Sequence, residues 1–314
     1  MVAKPAKQLT RSRLSPHPVA RNQRRLAWLL VTPWMVGFLA FSLYPMGASL
    51  YYSFTRYNLF QAPQWVGLAN YGGLLTSGTF WQSLYNTLYY AVFGVGLALV
   101  LGLGSALLLN LKVRGQAIYR TIYFLPSVMP PVASALLWLW LLNPQYGLIN
   151  TMLGFLHLPQ PLWLVSAAWA KPALILMGLW GNGTTTIIYL AGLQDIPDVF
   201  YEAIEIDGGN SWQKFRFITL PMLSPITFFQ LVMGLIGALG MFTQAYVLSM
   251  GSIQNLGGPS NSLLFYSVNI YEQGFSYLNM GYASALAWIL LVITVLVTWL
   301  IYRSSARWLY YGGQ

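Results

Sequence analysis

Cysteine is absent from the 314 residues, so disulfides and thiolate metal sites are excluded. Histidine is nearly absent: His17 and His157 lie far apart and form no metal-ligand cluster. Charge is also scarce. With 7% charged and 57% hydrophobic residues, the chain falls far below the roughly 25% charge of an ordinary soluble domain, and it reads as an integral membrane protein. No Gly-Lys dipeptide occurs anywhere, which removes a P-loop and with it that mode of ATP binding. An intramembrane enzyme needs converging acids, histidines or a metal site, and none is visible. No catalytic activity is expected.

What remains is apolar. Runs that are free or nearly free of charge cover residues 26–55, 80–111, 121–142, 173–193, 217–250 and 277–302. Each supplies the roughly 20 residues that cross a bilayer core as a helix. The expected fold class is therefore all-α, with six transmembrane helices. Of the 16 lysines and arginines, only Arg56 and Lys171 fall on the opposite side from the rest if the N-terminus is cytoplasmic. That bias places both termini and residues 195–216 in the cytoplasm. The pI near 9.7 thus reports topology; the basic residues are scattered over separate cytoplasmic segments, which argues against nucleic-acid binding.

Residues 1–25, rich in Arg, Lys and Pro, read as a disordered cytoplasmic tail. The apolar stretch that follows is too long for a signal-peptide core and lacks a clear small-x-small cleavage site, so a retained first span is expected. Residues 26–314 form one transmembrane domain. On the external side of the membrane, residues 56–79 and 143–164 carry turn signals, including Asn143-Pro144 and Pro159-Gln160-Pro161. Residues 251–276, with Gly257-Gly258-Pro259, are expected to be a loop.

One cytoplasmic segment differs from everything around it. Asp195, Asp198, Glu202, Glu205 and Asp207, five of the six acids, lie within it. Pro197 suits a first helical turn, and acids there complement the helix dipole. Val199, Ala203 and Ile206 recur near the helical period, and Gly208-Gly209 ends the pattern. Trp212, Phe215 and Phe217 then lead a second short helix toward the membrane, with Leu220-Pro221 marking entry into the fifth span. Periodicity alone allows an interfacial helix or a partner-docking helix. Anionic headgroups repel an acidic face, which favours a protein partner.

The spacing Glu202-Ala203-Ile204, then Gly208, then Ile218-Thr219-Leu220-Pro221 follows the pattern E-A-A-x3-G-x9-I-x-L-P. It resembles the ATPase-docking signature of permease subunits of ATP-binding-cassette importers, with Ile204 in place of the usual Ala. Val66-Gly67-Leu68-Ala69-Asn70-Tyr71, Phe124-Leu125-Pro126, Pro130-Pro131-Val132 and Asn143-Pro144 before Gly147-Leu148-Ile149-Asn150 resemble the maltose-type, carbohydrate-uptake branch. The loop from Ser249 to Gly257-Gly258-Pro259 is longer than that family's usual Thr-x-Gly-Gly-Pro turn.

The resemblance implies the type I importer permease fold in a bacterial or archaeal cytoplasmic membrane. It also implies a second homologous permease, an ATPase pair that binds ATP and Mg, and an extracytoplasmic solute-binding protein. Glu202, Ala203, Ile204, Asp207, Gly208, Leu220 and Pro221 would meet the ATPase, with Glu202 as polar anchor. Gene neighbours encoding a second permease and a sugar-binding protein would support the carbohydrate branch.

For the substrate pathway, interrupted helices near the bilayer midplane are the places to look. The fourth span offers Gly178, Trp180, Gly181-Asn182-Gly183, Thr184 and Thr185. Small residues there also suit tight helix packing. By resemblance, Trp180 to Thr185 correspond to sugar-contacting positions. In the fifth span Gln244 and Tyr246 are pathway candidates, Tyr246 equally an interface anchor. Acid-free spans argue against a proton- or sodium-coupled transporter and suit a neutral saccharide or polyol; a permease for peptides or another polar solute is the alternative.

Overall fold

The computed structural model describes residues 21–111, 113–250 and 257–310. The expectations for residues 1–20, Lys112 and the 251–256 loop lie outside the described residues. Helix begins at Arg21, before the apolar run does. The molecule is all-helical apart from a two-residue antiparallel ladder.

Two units divide the chain, 1–51 and 52–314. The described residues of the first lie in one long helix, α1, which starts at Arg21, runs through Pro33 and a π turn at Leu39–Leu43, and ends at Ser53. Its apolar side chains point outward on every side, as for Trp34, Phe41 and Tyr44. A helix apolar all round is suited to a membrane interior.

In the second unit, β1 (Thr55–Arg56) and β2 (Gln64–Trp65) form a hairpin followed by α2 (Ala69–Thr76). Next come α3 (Gly78–Leu109), the bent pair α4 (Gln116–Val128) and α5 (Pro131–Leu141), and α6 (Leu148–Phe155). A second bent pair, α7 (Ala167–Trp180) and α8 (Gly183–Gln194), leads to the short α9 (Asp198–Ile206). The third bent pair is α10 (Ser211–Met222) and α11 (Ser224–Leu239), followed by α12 (Thr243–Ser249), α13 (Tyr266–Tyr271) and α14 (Met280–Ser305).

Among the described residues, three helices, α1, α3 and α14, are long and apolar enough to cross a membrane unbroken; counting each bent pair as one span gives up to six. The expected six spans are thus reached when each bent pair counts as one. The bends are 97° between α4 and α5, 47° between α7 and α8, and 60° between α10 and α11. Their causes are local. Pro130 and Pro131 interrupt the first pair, and Pro221 and Pro225 flank the third, each removing a backbone donor. The second breaks at Gly181-Asn182, where the backbone leaves the helical region.

Residues 257–276 differ from the expected loop. After the turn at Gly258 (φ +69°) the chain forms α13 and a π turn at Glu272–Ser276. Leu263, Phe265, Tyr266 and Val268 are fully buried. Polar side chains of α3 hold this segment down. Asn86 Nδ2 donates to the carbonyls of Asn261 (2.8 Å) and Leu264 (3.0 Å), and Thr87 Oγ1 accepts from Tyr266 N (2.8 Å). Asn86 Oδ1 also accepts from Lys171 Nζ at 3.2 Å. Asn86→Leu orphans two buried carbonyls, a change that costs roughly 1–3 kcal/mol. The expected result is a thermal-unfolding midpoint lower by several degrees in detergent, measured by intrinsic fluorescence; an unchanged midpoint refutes the bracing role.

Close helix packing elsewhere uses glycines. A Cβ at Gly102 of α3 would meet Thr185 of α8 and Asn182 just before it, and one at Gly183 would meet the Phe124 backbone of α4. Near α9, Ala106, Tyr189, Leu190, Leu193 and Leu223 make a core, with Tyr201 packed against it, that joins α3, α8 and the α10–α11 bend.

Candidate functional site

Two places carry the chemistry that the sequence pointed to: the acidic corner around α9 and a cavity among the broken spans. At the corner, α9 starts after Pro197 with Asp198 in its first turn, as the helix dipole favours. It ends at Gly208 in the left-handed region, φ +79°. There the N–H of Gly209 reaches back to Ile204 O at 2.7 Å and that of Gly208 to Glu205 O at 3.0 Å, a turn in which glycine carries no Cβ penalty.

The next helix is capped reciprocally. Asn210 Oδ1 accepts from Gln213 N (2.9 Å), and Gln213 Oε1 accepts from Asn210 N (2.7 Å). Further ties fix the corner from within: Lys214 forms an ion pair with Glu205, and the Tyr201 and Thr219 hydroxyls bond at 3.0 Å.

What these ties leave free is informative. Val199 is 62% exposed and Ile206 87%, with Glu202, Ala203 and Asp207 also exposed. Ile204 behaves differently. It is half-buried, its side chain and carbonyl close upon Gly209, and a Cβ at 209 would strike both. The larger residue at this signature position thus has a partner inside the turn. Leu220 and Pro221 are not on α9; with Arg216 and Trp308 they line a separate cavity beside the α10–α11 bend.

The second place is a cavity of about 270 Å³ where three interruptions meet. Pro126, Ser127, Met129 and Pro131 come from the α4–α5 break, Gly178 and Gly181 from the end of α7, and Met241 and Gln244 from the α11–α12 junction. Tyr90 of α3 closes the wall, its hydroxyl set against Gly178 so closely that a Cβ there would overlap it. The lining holds no charged side chain.

Of the pathway candidates, Gln244 lines this cavity, whereas Trp180, Asn182, Thr184, Thr185 and Tyr246 are not among its walls. Asn182 is buried and donates through Nδ2 to Ala98 O of α3 at 2.7 Å. Thr185 packs on Gly102, and its carbonyl accepts from Gln230 Nε2 at 2.8 Å. Thr184 is exposed, and Tyr246 stacks with Phe242 at 5.1 Å between ring centroids. Trp180 meets Trp138 edge-on at 6.0 Å, and the buried Trp138 Nε1 has no hydrogen-bond partner. Tyr90, Ser127 and Ser134, which line the cavity, were not singled out from sequence. Only the prolines at 126, 130 and 131 signalled that segment.

Helix breaks that meet beside a cavity with no charged side chain, and an acidic helix that keeps an exposed face, suit a transport permease. The chain belongs to the family of binding-protein-dependent transport system inner membrane components, whose profile matches residues 94–310.

It is 42% identical to YesP, a probable ABC transporter permease protein of Bacillus subtilis (strain 168), over 94% of each chain. It is 32% identical to the MalF permease of the trehalose/maltose transport system of Thermococcus litoralis, over 91% of this chain and 95% of that one. Among solved structures, a chain of a bacterial ABC transporter that imports the acidic polysaccharide alginate superposes with a TM-score of 0.76. The identity is 25%, covering 91% of this chain and 96% of that one. The protein is a permease subunit of an ABC importer with carbohydrate-transport relatives.

Proposed function

We infer that the chain forms half of the translocation pathway for a neutral saccharide or polyol in a bacterial or archaeal cytoplasmic membrane. A second permease completes the pathway, and a solute-binding protein delivers the ligand from outside. An ATPase pair, which binds ATP and Mg, grips α9. The observation that carries the substrate class is the cavity at the three helix breaks. Its polar groups are the hydroxyls of Ser127, Ser134 and Tyr90 and the Gln244 amide, with no fixed charge. Hydroxyls can be satisfied there by neutral hydrogen bonds, whereas a buried charge without a partner costs several kcal/mol. The trehalose/maltose relative supports the carbohydrate branch, and α9 supports the ATPase partner because its exposed apolar stripe and acids remain after the corner has satisfied its own bonds.

The test is uptake by the complete importer, reconstituted with its solute-binding protein and challenged with radiolabelled neutral disaccharides, polyols, uronates and dipeptides. Accumulation of a uronate or a dipeptide, with none of a neutral sugar, overturns the substrate class. Two substitutions separate the cavity from the scaffold. Gln244→Leu removes one ligand hydrogen bond, worth about 1 kcal/mol, and should raise the half-saturation concentration roughly three- to ten-fold at normal protein level. Asn182→Leu breaks the link between α3 and α8, so the expected result is less folded permease with the half-saturation concentration of the remainder unchanged. The opposite pattern would move the pathway from Gln244 to Asn182.

A further inference from the structure

From residue 121 to residue 170 the chain carries no Asp, Glu, Lys or Arg. The α4–α5 and α7–α8 pairs account for the two ends of that stretch. Residues 143–166 belong to neither, and they fold around the short helix α6.

The polarity of this segment is inside out. Asn150, buried on the inner face of α6, donates through Nδ2 to Pro144 O (3.3 Å) and Pro161 O (3.0 Å), and its Oδ1 accepts from Trp163 Nε1 (2.8 Å). Asn143 Oδ1 accepts from the backbone N–H groups of Gln145 (2.9 Å) and Tyr146 (3.2 Å), and Thr151 Oγ1 donates to Gly147 O (3.0 Å). The turns on either side of α6 therefore bond their own polar groups, as irregular backbone at the edge of a bilayer must. Outward, at helical spacing, stand Leu148, Met152, Phe155 and Leu156, the last two 80% and 68% exposed. Leu158, Leu162 and Val165 extend the same apolar surface along the chain.

Two features say what covers this face. The first is continuity: the elements before and after α6 are halves of membrane spans, so both ends of the segment are held at the bilayer. Trp140, Tyr146 and Trp169, all exposed, flank it in the manner of aromatic residues at the level where lipid tails meet headgroups. The second is charge. A soluble protein that docks and departs leaves its landing surface in water between visits, and transient interfaces keep a polar rim. Here the rim offers no Asp, Glu, Lys or Arg, and an apolar face of this kind left in water would be a liability.

We propose that α6 is an interfacial anchor, lying in the leaflet that the charge bias makes external, with its Leu148–Met152–Phe155–Leu156 face among the upper acyl chains. The partner is the lipid surface itself. Since the face carries no cation, its hold rests on buried apolar area and is indifferent to headgroup charge. Immersion fixes the outer end of α5, the helix whose other end brings Pro131 and Ser134 to the cavity.

The test uses the absence of cysteine from this chain. A nitroxide is placed at Met152→Cys or Phe155→Cys in the complete importer, with the other subunits freed of reactive thiols, in phosphatidylcholine vesicles. Power-saturation EPR then compares collisions with oxygen, which concentrates in lipid, and with a neutral nickel chelate, which stays in water. Gln61→Cys, exposed in the hairpin loop, is the aqueous reference.

The oxygen-to-nickel ratio at both α6 positions should exceed that at Gln61 several-fold. It should stay there when phosphatidylglycerol replaces half of the phosphatidylcholine, and when the solute-binding protein is added in excess. A ratio no higher than that at Gln61, or one raised only by phosphatidylglycerol, overturns the proposal. Nickel access that the solute-binding protein removes would make the face a protein-docking surface, and a label shielded from both reagents would put it against the second permease. Either result also overturns the lipid assignment.

Discussion

Replacing Gly208 with valine should cut ATP-driven uptake roughly ten-fold or more while the protein still inserts at its normal level. Gly208 sits at φ +79° with open space where a side chain would go, so the lesion is conformational. A β-branched residue is held out of that region by about 1–2 kcal/mol. The corner then opens, and the Gly209-to-Ile204 bond that fixes the end of α9 is lost. Since each 1.4 kcal/mol is a factor of ten, roughly ten-fold or greater loss of uptake is expected. Gly208→Asn is the informative companion, because asparagine tolerates the left-handed region and should retain most transport. Glu202→Lys leaves the corner intact but reverses an exposed charge, and should lose ATPase co-purification as well as uptake. Parental uptake by Gly208→Val at parental membrane level sinks the coupling role of the corner.

The second large effect belongs to the outer end. Gly281 begins α14 against the hairpin, its N–H donating to Tyr57 O at 3.2 Å. A Cβ there would collide with the carbonyl oxygen of Thr55, a backbone atom that cannot step aside as a flexible side chain can. Gly281→Val is expected to cost roughly 1–3 kcal/mol or more through overpacking, and to shift most of the protein into aggregate by fluorescence-detected size-exclusion chromatography. Gly72→Ala in α2, where a Cβ meets nothing, serves as the control and should run as the parent. A monodisperse Gly281→Val profile would show that the hairpin can move away.

These outcomes bear on what could be foreseen. The helix and turn of the acidic corner were legible because their signals are local: acids concentrated in an acid-poor chain, a proline before the helix and paired glycines after it. All act within a few residues, and the turn they describe is the one found. The number of spans was legible for a related reason, since hydropathy counts apolar residues.

Breaks are another matter. An apolar window has the same hydropathy whether the helix inside it is straight or bent through 97°, so 121–142 read as one span although Pro130-Pro131 stood in it. The buried α13 was hidden in the opposite way. Its polar residues, Asn269 among them, lower the local hydropathy, yet Asn269 Nδ2 donates to Ser83 Oγ at 3.2 Å inside the protein. A buried amide needs partners, and sequence shows the need without the address. Asn182 teaches the same lesson in the fourth span: its polarity invited a ligand, and its hydrogen bond goes to a neighbouring helix. Tyr90 escaped notice because an aromatic residue in a span is ordinary until the facing residue proves to be Gly178.

The bend at Leu223 has the geometry of a fulcrum. On one side lies α10, stitched to α9 through the Lys214–Glu205 pair and the Tyr201–Thr219 hydroxyls. On its far side α11 runs 16 residues without interruption before the junction that carries Met241 and Gln244. At 1.5 Å per residue this arm is about 24 Å long, so a pivot of roughly 10° at its base sweeps the tip by about 4 Å. That stroke is comparable to the width of a sugar ring. Were α9 and α10 to rock together, this lever would carry a small rotation at its base to the Met241–Gln244 wall of the cavity, with no helix having to unwind along the way.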